Sequence, residues 1–234
     1  MSQVTITVLG LSTIKISNGS ETVYVDAFFK DHPIAVFDGS DATVILVTHD
    51  HGDHFSAEET AAAAQKANAI VVGPPSIAYP LLVTHPLPAE YLRILYHQDP
   101  HTPVSTQIGE VCIHSYSSLH FSDGDNMTIH NSYLLEFGGK KIFLTGDSNT
   151  ISKKVHQLMN LDALVYNLVV PDRDLSRVSD LEDAMNTFCP KLLIPVHIVA
   201  CDWTIQPADL SREIARRNLK SIPVLQEAYT SLVI

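Results

Sequence analysis

Cysteine and basic residues are scarce in this chain, and long apolar runs are missing. Only 3 of 234 residues are cysteine and no Cys-x-x-Cys pair occurs, so we expect no disulfide framework and a reduced, cytoplasmic protein. The 15 lysines and arginines are outnumbered by 26 acidic residues, giving a net charge of −11. Nucleic acid is therefore not an expected partner, because phosphate binding needs clustered positive charge.

Membrane insertion is not expected either. No apolar run approaches the roughly 20 residues of a membrane-spanning helix. The first residues, Met1 to Ile6, have no basic segment and alternate like a strand, which argues against a signal peptide. With 45% hydrophobic and 18% charged residues the chain can bury a sizeable core. No linker is visible, so we predict one domain over residues 1–234.

The hydrophobic pattern alternates between strands and helices. Apolar residues alternate with polar ones from Val4 to Val8, and a clear hairpin with Gly138-Gly139 at its turn runs from Tyr133 to Leu144. Ser56 with Glu59 forms a capping-box signature before an alanine-rich helix that reaches about Ala67. Further helical patterns lie around 151–159, 180–188 and 207–217, with buried strands near 163–166 and 191–195 between them. This alternation predicts an α/β protein built in layers.

Residues 79–107 give the weakest pattern. They contain five prolines and three histidines, and they allow either a plain surface connection or a covering loop over a site.

The segment from Thr48 to His54 carries the strongest functional signal. Its sequence is Thr-His-Asp-His-Gly-Asp-His, directly after the apolar strand Val44 to Val47. Three imidazoles and two carboxylates within six residues would cost several kcal/mol to bury unpaired, but they suit a metal ion. The spacing supplies four ligands, aimed in two directions and enough to begin two adjacent metal sites: His49, His51, Asp53 and His54.

Three more candidates follow the ends of other predicted strands. Asp147 comes just after the hairpin that ends at Leu144, and the alternative interpretation is a plain turn residue. His197 follows a buried strand, and the alternative there is a core histidine. His120 follows the strand 111–116, but His114 and His130 compete with it for the same role.

These residues resemble those of the metallo-β-lactamase superfamily, whose most specific motif matches the loop His49 to His54. Within it, Ile194-Pro195-Val196-His197, with Asp202-Trp203 and Pro207 following, looks most similar to the L-ascorbate-6-phosphate lactonase branch. The resemblance implies a four-layer αββα sandwich with a two-metal site between its sheets.

The resemblance also implies how the ligands divide. His49, His51 and His120 would hold one ion, Asp53, His54 and His197 the other, and Asp147 would bridge both. A hydroxide shared by the ions would attack a carbonyl or a phosphorus. Asp50 is a candidate for protonating the leaving group, with a surface role as the alternative. Asp26 is expected to accept a hydrogen bond from a ligand histidine.

The predicted function is hydrolysis of a small anionic ester, lactone or phosphodiester by an enzyme with two divalent ions. A nitrogen-rich site suits zinc, whereas the lactonase resemblance points to manganese. The alternatives are an RNA-processing nuclease of the same superfamily, which the acidic charge disfavours, and a non-catalytic metal- or ligand-binding protein, which the full ligand set disfavours. The expected partner is a small-molecule substrate, not nucleic acid or a membrane, and assembly into a homo-oligomer stays open.

Overall fold

Two β-sheets form the centre of the structure, a computed structural model. It describes residues 3–27, 39–120, 128–148, 158, 160–168, 178–197, 207–218 and 231–234. The strands are β1 (Thr5–Gly10), β2 (Thr13–Ser17), β3 (Thr22–Val25), β4 (Val44–Leu46), β5 (Ile70–Gly73), β6 (Leu92–Ile94), β7 (Val104–Ile108), β8 (Val111–Ser118), β9 (His130–Phe137), β10 (Lys140–Leu144), β11 (Ala163–Asn167), β12 (Leu192–Val196) and β13 (Ser231–Val233).

The two sheets share one pattern of pairing. The first has the order β13-β1-β2-β3-β4-β5-β6 and the second the order β12-β11-β10-β9-β8-β7. In the first sheet, β1 to β3 pair antiparallel and β3 to β6 pair parallel. In the second sheet, β7 to β10 pair antiparallel and β10 to β12 pair parallel. Each sheet therefore contains a hairpin whose last strand is followed by a parallel neighbour.

Among the described residues, three α-helices cover the sheets: α1 (Ala57–Ala67), α2 (Val178–Phe188) and α3 (Pro207–Arg216). The predicted cap of α1 is confirmed, since the Ser56 side chain accepts a hydrogen bond from the Glu59 N–H. Short helical turns occupy Pro75–Ile77, Pro80–Thr84 and Ala89–Tyr91. The helix predicted around 151–159 falls almost entirely outside the described residues.

Three apolar clusters lie between four layers, which are α1, the first sheet, the second sheet, and the pair α2 and α3. The largest joins the facing sides of the two sheets, with Val25 and Leu46 from one and Ile113 and Leu144 from the other. A second packs α1 against the outer side of the first sheet. A third packs α2 and α3 against the outer side of the second sheet. The predicted αββα sandwich is thereby confirmed, while the single domain over 1–234 stays a prediction.

The region 79–107 differs from the expected loop. It supplies β6 at one edge of the first sheet and β7 at one edge of the second. The side chains of β7 are partly or fully exposed along its length, so its sequence has no apolar alternation to reveal a strand. In the described part of the chain, no helix combines the length and apolar character needed to cross a membrane.

Candidate metal centre

The candidate ligands meet where strands of both sheets end. The loop His49 to His54 follows β4 in the first sheet. His120 follows β8, Asp147 follows β10 and His197 follows β12, all in the second sheet. The carboxyl ends of parallel strands lie at one edge of a sheet, and polar groups placed there converge.

Local hydrogen bonds fix the loop after β4. The N–H groups of His54 and Phe55 both donate to the His51 carbonyl, at 3.0 and 2.9 Å. This tight turn leads directly into the cap of α1. His49, His51 and His54 are thereby held with neighbouring rings: the centroid of His49 lies 4.6 Å from that of His51 and 4.1 Å from that of His54.

The loop and the second sheet bring together three groups of donor atoms, each group lying within 4.8 Å. These are His49, His51 and His120; His49, His54 and Asp147; and Asp53, His54 and His197. All seven residues predicted as metal ligands belong to at least one group. Their ligand roles stay predictions, but their convergence is a property of the structure.

Asp147 lies between the groups. Its Oδ2 is 3.3 Å from His54 Nε2 and 3.7 Å from His120 Nε2, and its Oδ1 is 3.3 Å from His197 Nε2. The Asn167 side-chain amide, at the end of β11, donates to Oδ1. One carboxylate thus contacts a histidine from each predicted ligand set, which is the placement that a bridging ligand requires.

Burial makes this arrangement costly unless a cation is present. The side chains of His49, His54 and His197 are almost fully buried. His54 Nε2 faces His197 Nε2 at 3.1 Å, although two imidazole lone pairs facing each other repel unless a proton or a metal ion lies between them. His49 Nε2 is buried without a hydrogen-bond partner among the described residues. The donor set and this orphaned nitrogen fit divalent metal ions.

Asp26 orients two of the histidines. It accepts hydrogen bonds from His54 Nδ1 at 3.0 Å and from the N–H and hydroxyl of Thr48 at 2.8 and 2.7 Å. Because the Thr48 hydroxyl donates to Asp26, it accepts from His49 Nδ1, 2.9 Å away. Both imidazoles therefore carry a proton on Nδ1 and direct Nε2 into the site. The expected hydrogen bond between Asp26 and a candidate ligand histidine is present, while the ligand role of that histidine stays a prediction.

The electrostatics follow from burial and from these carboxylates. Burial opposes the charged form of His54, but Asp147 and then Asp26 outweigh it and raise its pKa well above the usual value. Burial and the neighbouring His54 and His130 lower the pKa of His49 far below its usual value. For Asp147, His54 and His197 outweigh burial and hold its pKa well below the usual range. The site therefore keeps a carboxylate and a neutral imidazole ready for a cation.

His130 supports the Asp147 loop. Its Nε2 accepts the Asp147 N–H at 2.9 Å, and its Nδ1 lies 2.6 Å from the Ser118 hydroxyl. Burial lowers its pKa to about 3, which keeps it neutral. Gly146 has φ +56°, and a side chain there would lie 2.5 Å from His130 Nε2, so only glycine fits. With both nitrogens engaged, His130 is not placed to bind a metal, whereas His120 is.

His197 is held by the opposite end of the chain. Its N–H donates to the Leu11 carbonyl at 2.9 Å, and its backbone has φ +64°. A non-glycine residue rarely adopts this conformation, and such residues concentrate at functional sites. The turn between β1 and β2 thus sets the direction in which His197 enters the site.

Other predicted residues lie elsewhere. Asp50 is exposed and belongs to none of the donor groups among the described residues. His114 lies on β8, where the alternate residues Val111 and Ile113 face the inter-sheet core and His114 points to the opposite face. Cys201, Asp202 and Trp203 fall outside the described residues. The contacts of Asn167 and Ser12 were not predicted; Ser12 lies 3.2 Å from His54 Nδ1, and neither residue carries a motif that announces it.

Comparison with known proteins identifies the family of this chain. Residues 21–198 match the model of the beta-lactamase superfamily domain, Lactamase_B_2. The chain belongs to this family. It is 28% identical over 207 residues to a UPF0173 metal-dependent hydrolase of Staphylococcus carnosus, covering 80% of this chain and 82% of the relative. It is 25% identical over 203 residues to a UPF0173 metal-dependent hydrolase of Thermus thermophilus, covering 81% of each.

A solved structure agrees on the fold. The metallo-beta-lactamase fold protein YhfI of Bacillus subtilis superposes with a TM-score of 0.72 at 14% identity, covering 100% of both chains. The prediction of a metal-dependent hydrolase of the metallo-β-lactamase superfamily is therefore confirmed at that level. The likeness to the lactonase branch, the substrate class and the number and identity of the ions stay predictions.

Proposed function

We propose that this member of the metallo-β-lactamase superfamily hydrolyses a small anionic ester, lactone or phosphodiester with two divalent ions. The supporting observation is the position of Asp147, whose two oxygens lie 3.3 Å from Nε2 of His54 and of His197, with His120 Nε2 3.7 Å away. More donors converge than one tetrahedral ion uses.

The ligands divide as the family resemblance implies. His49, His51 and His120 would hold one ion. Asp53, His54 and His197 would hold the other, and Asp147 would be shared. Bound there, the two ions would supply a hydroxide nucleophile near neutral pH and a Lewis acid for the substrate oxygen.

The chain's own residues have three tasks in this proposal. Asp26 keeps the protons of His49 and His54 on Nδ1, so that both Nε2 atoms face the ions. His130 holds the backbone of Asp147 in place. Asp50, exposed and adjacent to His49 in sequence, is proposed to give a proton to the leaving group. A side-chain nucleophile is not required.

Substrate reaches the site from the side of Asp53, whose side chain is 43% exposed although it belongs to a donor group with two buried histidines. Leu119 and Ile129 are 59% and 51% exposed beside His120 and His130. We propose that they contact the uncharged part of the substrate, while the ions attract its anionic group. A small molecule is the proposed substrate, since the net charge of −11 repels nucleic acid.

The test begins with metal-depleted protein reconstituted with zinc or manganese. The two forms are assayed against a panel of lactones, aryl esters and phosphodiesters, with a tRNA precursor as a separate arm. Turnover of a small substrate that disappears in Asp147→Asn supports the proposal. Cleavage of the tRNA precursor alone, or turnover that Asp147→Asn retains, counts against it. Elemental analysis showing no more than one strongly bound ion would refute the two-ion mechanism.

A further inference from the structure

A second group of metal-binding side chains lies on the outer side of the second sheet. Cys112 and His114 are two residues apart on β8, so they point to the same face. Cys112 pairs directly with Glu136 on β9. The alternate residues Val111 and Ile113 face the inter-sheet core, so Cys112, His114 and Glu136 project away from it.

The donor atoms of these three residues already lie close together. Cys112 Sγ is 3.4 Å from His114 Nε2, and His114 Nε2 is 3.8 Å from Glu136 Oε2. All three donor atoms lie within 4.8 Å of one another. Around a tetrahedral zinc ion, with bonds near 2.3 Å to sulfur and 2.0–2.1 Å to nitrogen and oxygen, donors are separated by roughly 3.3–3.6 Å. The distance from Cys112 Sγ to His114 Nε2 already falls in this range, and the distance from His114 Nε2 to Glu136 Oε2 exceeds it by a few tenths of an ångström.

Hydrogen bonding orients His114 for ligation. Its Nδ1 is 2.7 Å from the hydroxyl of Ser105, which is its pairing partner on β7. When the Nδ1–H donates to this hydroxyl, the Nε2 lone pair points between Cys112 and Glu136. Supporting partners of this kind fix the tautomer and ring of metal-binding histidines. The other oxygen of Glu136, Oε1, lies 3.8 Å from Lys141 Nζ, which leaves Oε2 for the cluster.

We propose that Cys112, His114 and Glu136 bind a zinc ion, with a fourth position open to water. A thiolate, an imidazole and a carboxylate are a donor set that zinc accepts. Burial and the nearby Glu136 raise the pKa of the Cys112 thiol, so the incoming ion displaces a proton from sulfur.

This zinc site is separate from the candidate metal centre. The centre lies beyond Ser118, six residues along β8 from Cys112, which corresponds to about 20 Å at 3.3 Å per residue. Cys112 and His114 are only partly buried, and Glu136 is exposed, its side chain by 45%, so zinc reaches them from solvent. The site therefore does not depend on the proposed hydrolase function.

Cobalt substitution tests the site directly, because a thiolate bound to Co²⁺ gives a near-ultraviolet charge-transfer band that histidine and carboxylate ligands do not give. The full chain, reduced with a non-thiol reductant, is titrated with Co²⁺ and then with Zn²⁺. We expect a band that saturates at about one thiolate-bound ion per chain and that zinc abolishes. Cys112→Ser should eliminate the band, and His114→Ala should weaken Co²⁺ binding by at least about 10-fold.

Matched variants isolate the site. Cys189→Ser and Cys201→Ser test the other two thiols and should retain the band, as should Asp147→Ala, which alters only the candidate metal centre. Circular dichroism confirms that each variant is folded. A wild-type protein without the band, or a band that survives in Cys112→Ser, would overturn the proposal. So would zinc content that is equal in the wild type and in Cys112→Ser.

Discussion

The two sheets place an aspartate at equivalent positions but use it differently. Asp26 follows β3 and lies beside the end of β4, whereas Asp147 follows β10 and lies beside the end of β11. The parallel neighbour supplies Thr48 in the first case, and its N–H and hydroxyl both donate to Asp26. In the second case it supplies Asn167, whose side-chain amide donates to Oδ1 of Asp147.

This difference shows how one topological position acquires two roles. Donors from Thr48 and His54 engage both oxygens of Asp26, so it orients ligands. Asp147 Oδ2 instead faces Nε2 of both His54 and His120. We propose that the groups donated by the adjacent strand decide whether the carboxylate orients candidate ligands or binds an ion itself. His54 connects the two aspartates, because its Nδ1 is hydrogen-bonded to Asp26 and its Nε2 lies near Asp147.

The largest effect should come from Asp147→Ala. Removing a shared ligand loses more than the roughly 10–100-fold that supporting residues cost, so we expect hydrolysis to fall by more than about 100-fold while the fold is kept. Turnover is measured on whichever substrate the panel identifies, with thermal unfolding as the control for folding. Retention of more than about a tenth of wild-type turnover would show that Asp147 does not bridge the ions.

His120→Ala and His130→Ala should separate a ligand from a supporting residue. At saturating metal we expect His120→Ala to lose about one ion per chain and His130→Ala to keep both, because His130 contacts the Asp147 backbone and not the ions. Elemental analysis after dialysis measures the difference. The reverse result would assign the third histidine to position 130 and leave the fold unaffected.

Asp26→Asn tests the supporting half of the comparison. The amide keeps the shape but offers one acceptor in place of two, so the tautomers of His49 and His54 are no longer both fixed. Metal affinity should weaken by about 10–100-fold without a change in stoichiometry, as competition with a chelator would reveal. Complete loss of an ion would mean that Asp26 is itself a ligand.

Thr48→Val is a smaller change that also tests how Asp26 orients His49. It removes the hydroxyl that links Asp26 to His49 but leaves the Thr48 N–H bond in place. We expect a stability loss of about 1–3 kcal/mol from the unsatisfied buried partners, and weaker metal binding than in the wild type but stronger than in Asp26→Asn. Chemical denaturation and chelator competition give the two values. If Thr48→Val binds metal less tightly than Asp26→Asn, the hydroxyl and not the carboxylate organises the site.

Proton release upon metal binding should be modest but diagnostic. The pKa of His54 is raised in the metal-free fold, so this imidazole is protonated at neutral pH and must lose its proton to bind an ion. We expect release of about one proton near pH 7, declining to none as the pH rises above the folded pKa. Calorimetry in buffers of different ionisation enthalpy measures it. His54→Gln should abolish this component.

The sequence predicted the elements whose apolar patterns are strong. The hairpin of β9 and β10, the strand β4 and the cap of α1 all have local signals, and each was confirmed. The edge strands β6, β7 and β13 were missed, because these three bury less apolar surface than the edge strand β12 and so alternate weakly. In β7, the polar run Ser105-Thr106-Gln107 conceals the strand.

In the candidate metal centre too, the sequence predicted the parts that have a strong local pattern and missed those that do not. The loop from His49 to His54 contains so many histidines and aspartates that it predicts metal binding without any other part of the chain. The contacts made by Asn167, His130 and Ser12 depend on which strands lie side by side, and no local pattern encodes that. The tautomers of His49 and His54 likewise follow from the hydrogen bonds of Asp26, which only the assembled sheets establish.

The hydrogen bond from His197 to the Leu11 carbonyl has a consequence for folding kinetics. It joins the first hairpin to one of the last buried strands, so a very long loop must close before His197 can enter the site. Until then, His54 Nε2 lacks the neighbouring His197 Nε2, which lies 3.1 Å away in the folded structure. During synthesis the nascent chain therefore cannot complete the set of Asp53, His54 and His197 before β12 has left the ribosome. High-affinity metal capture should thus be a late event that locks an already assembled fold.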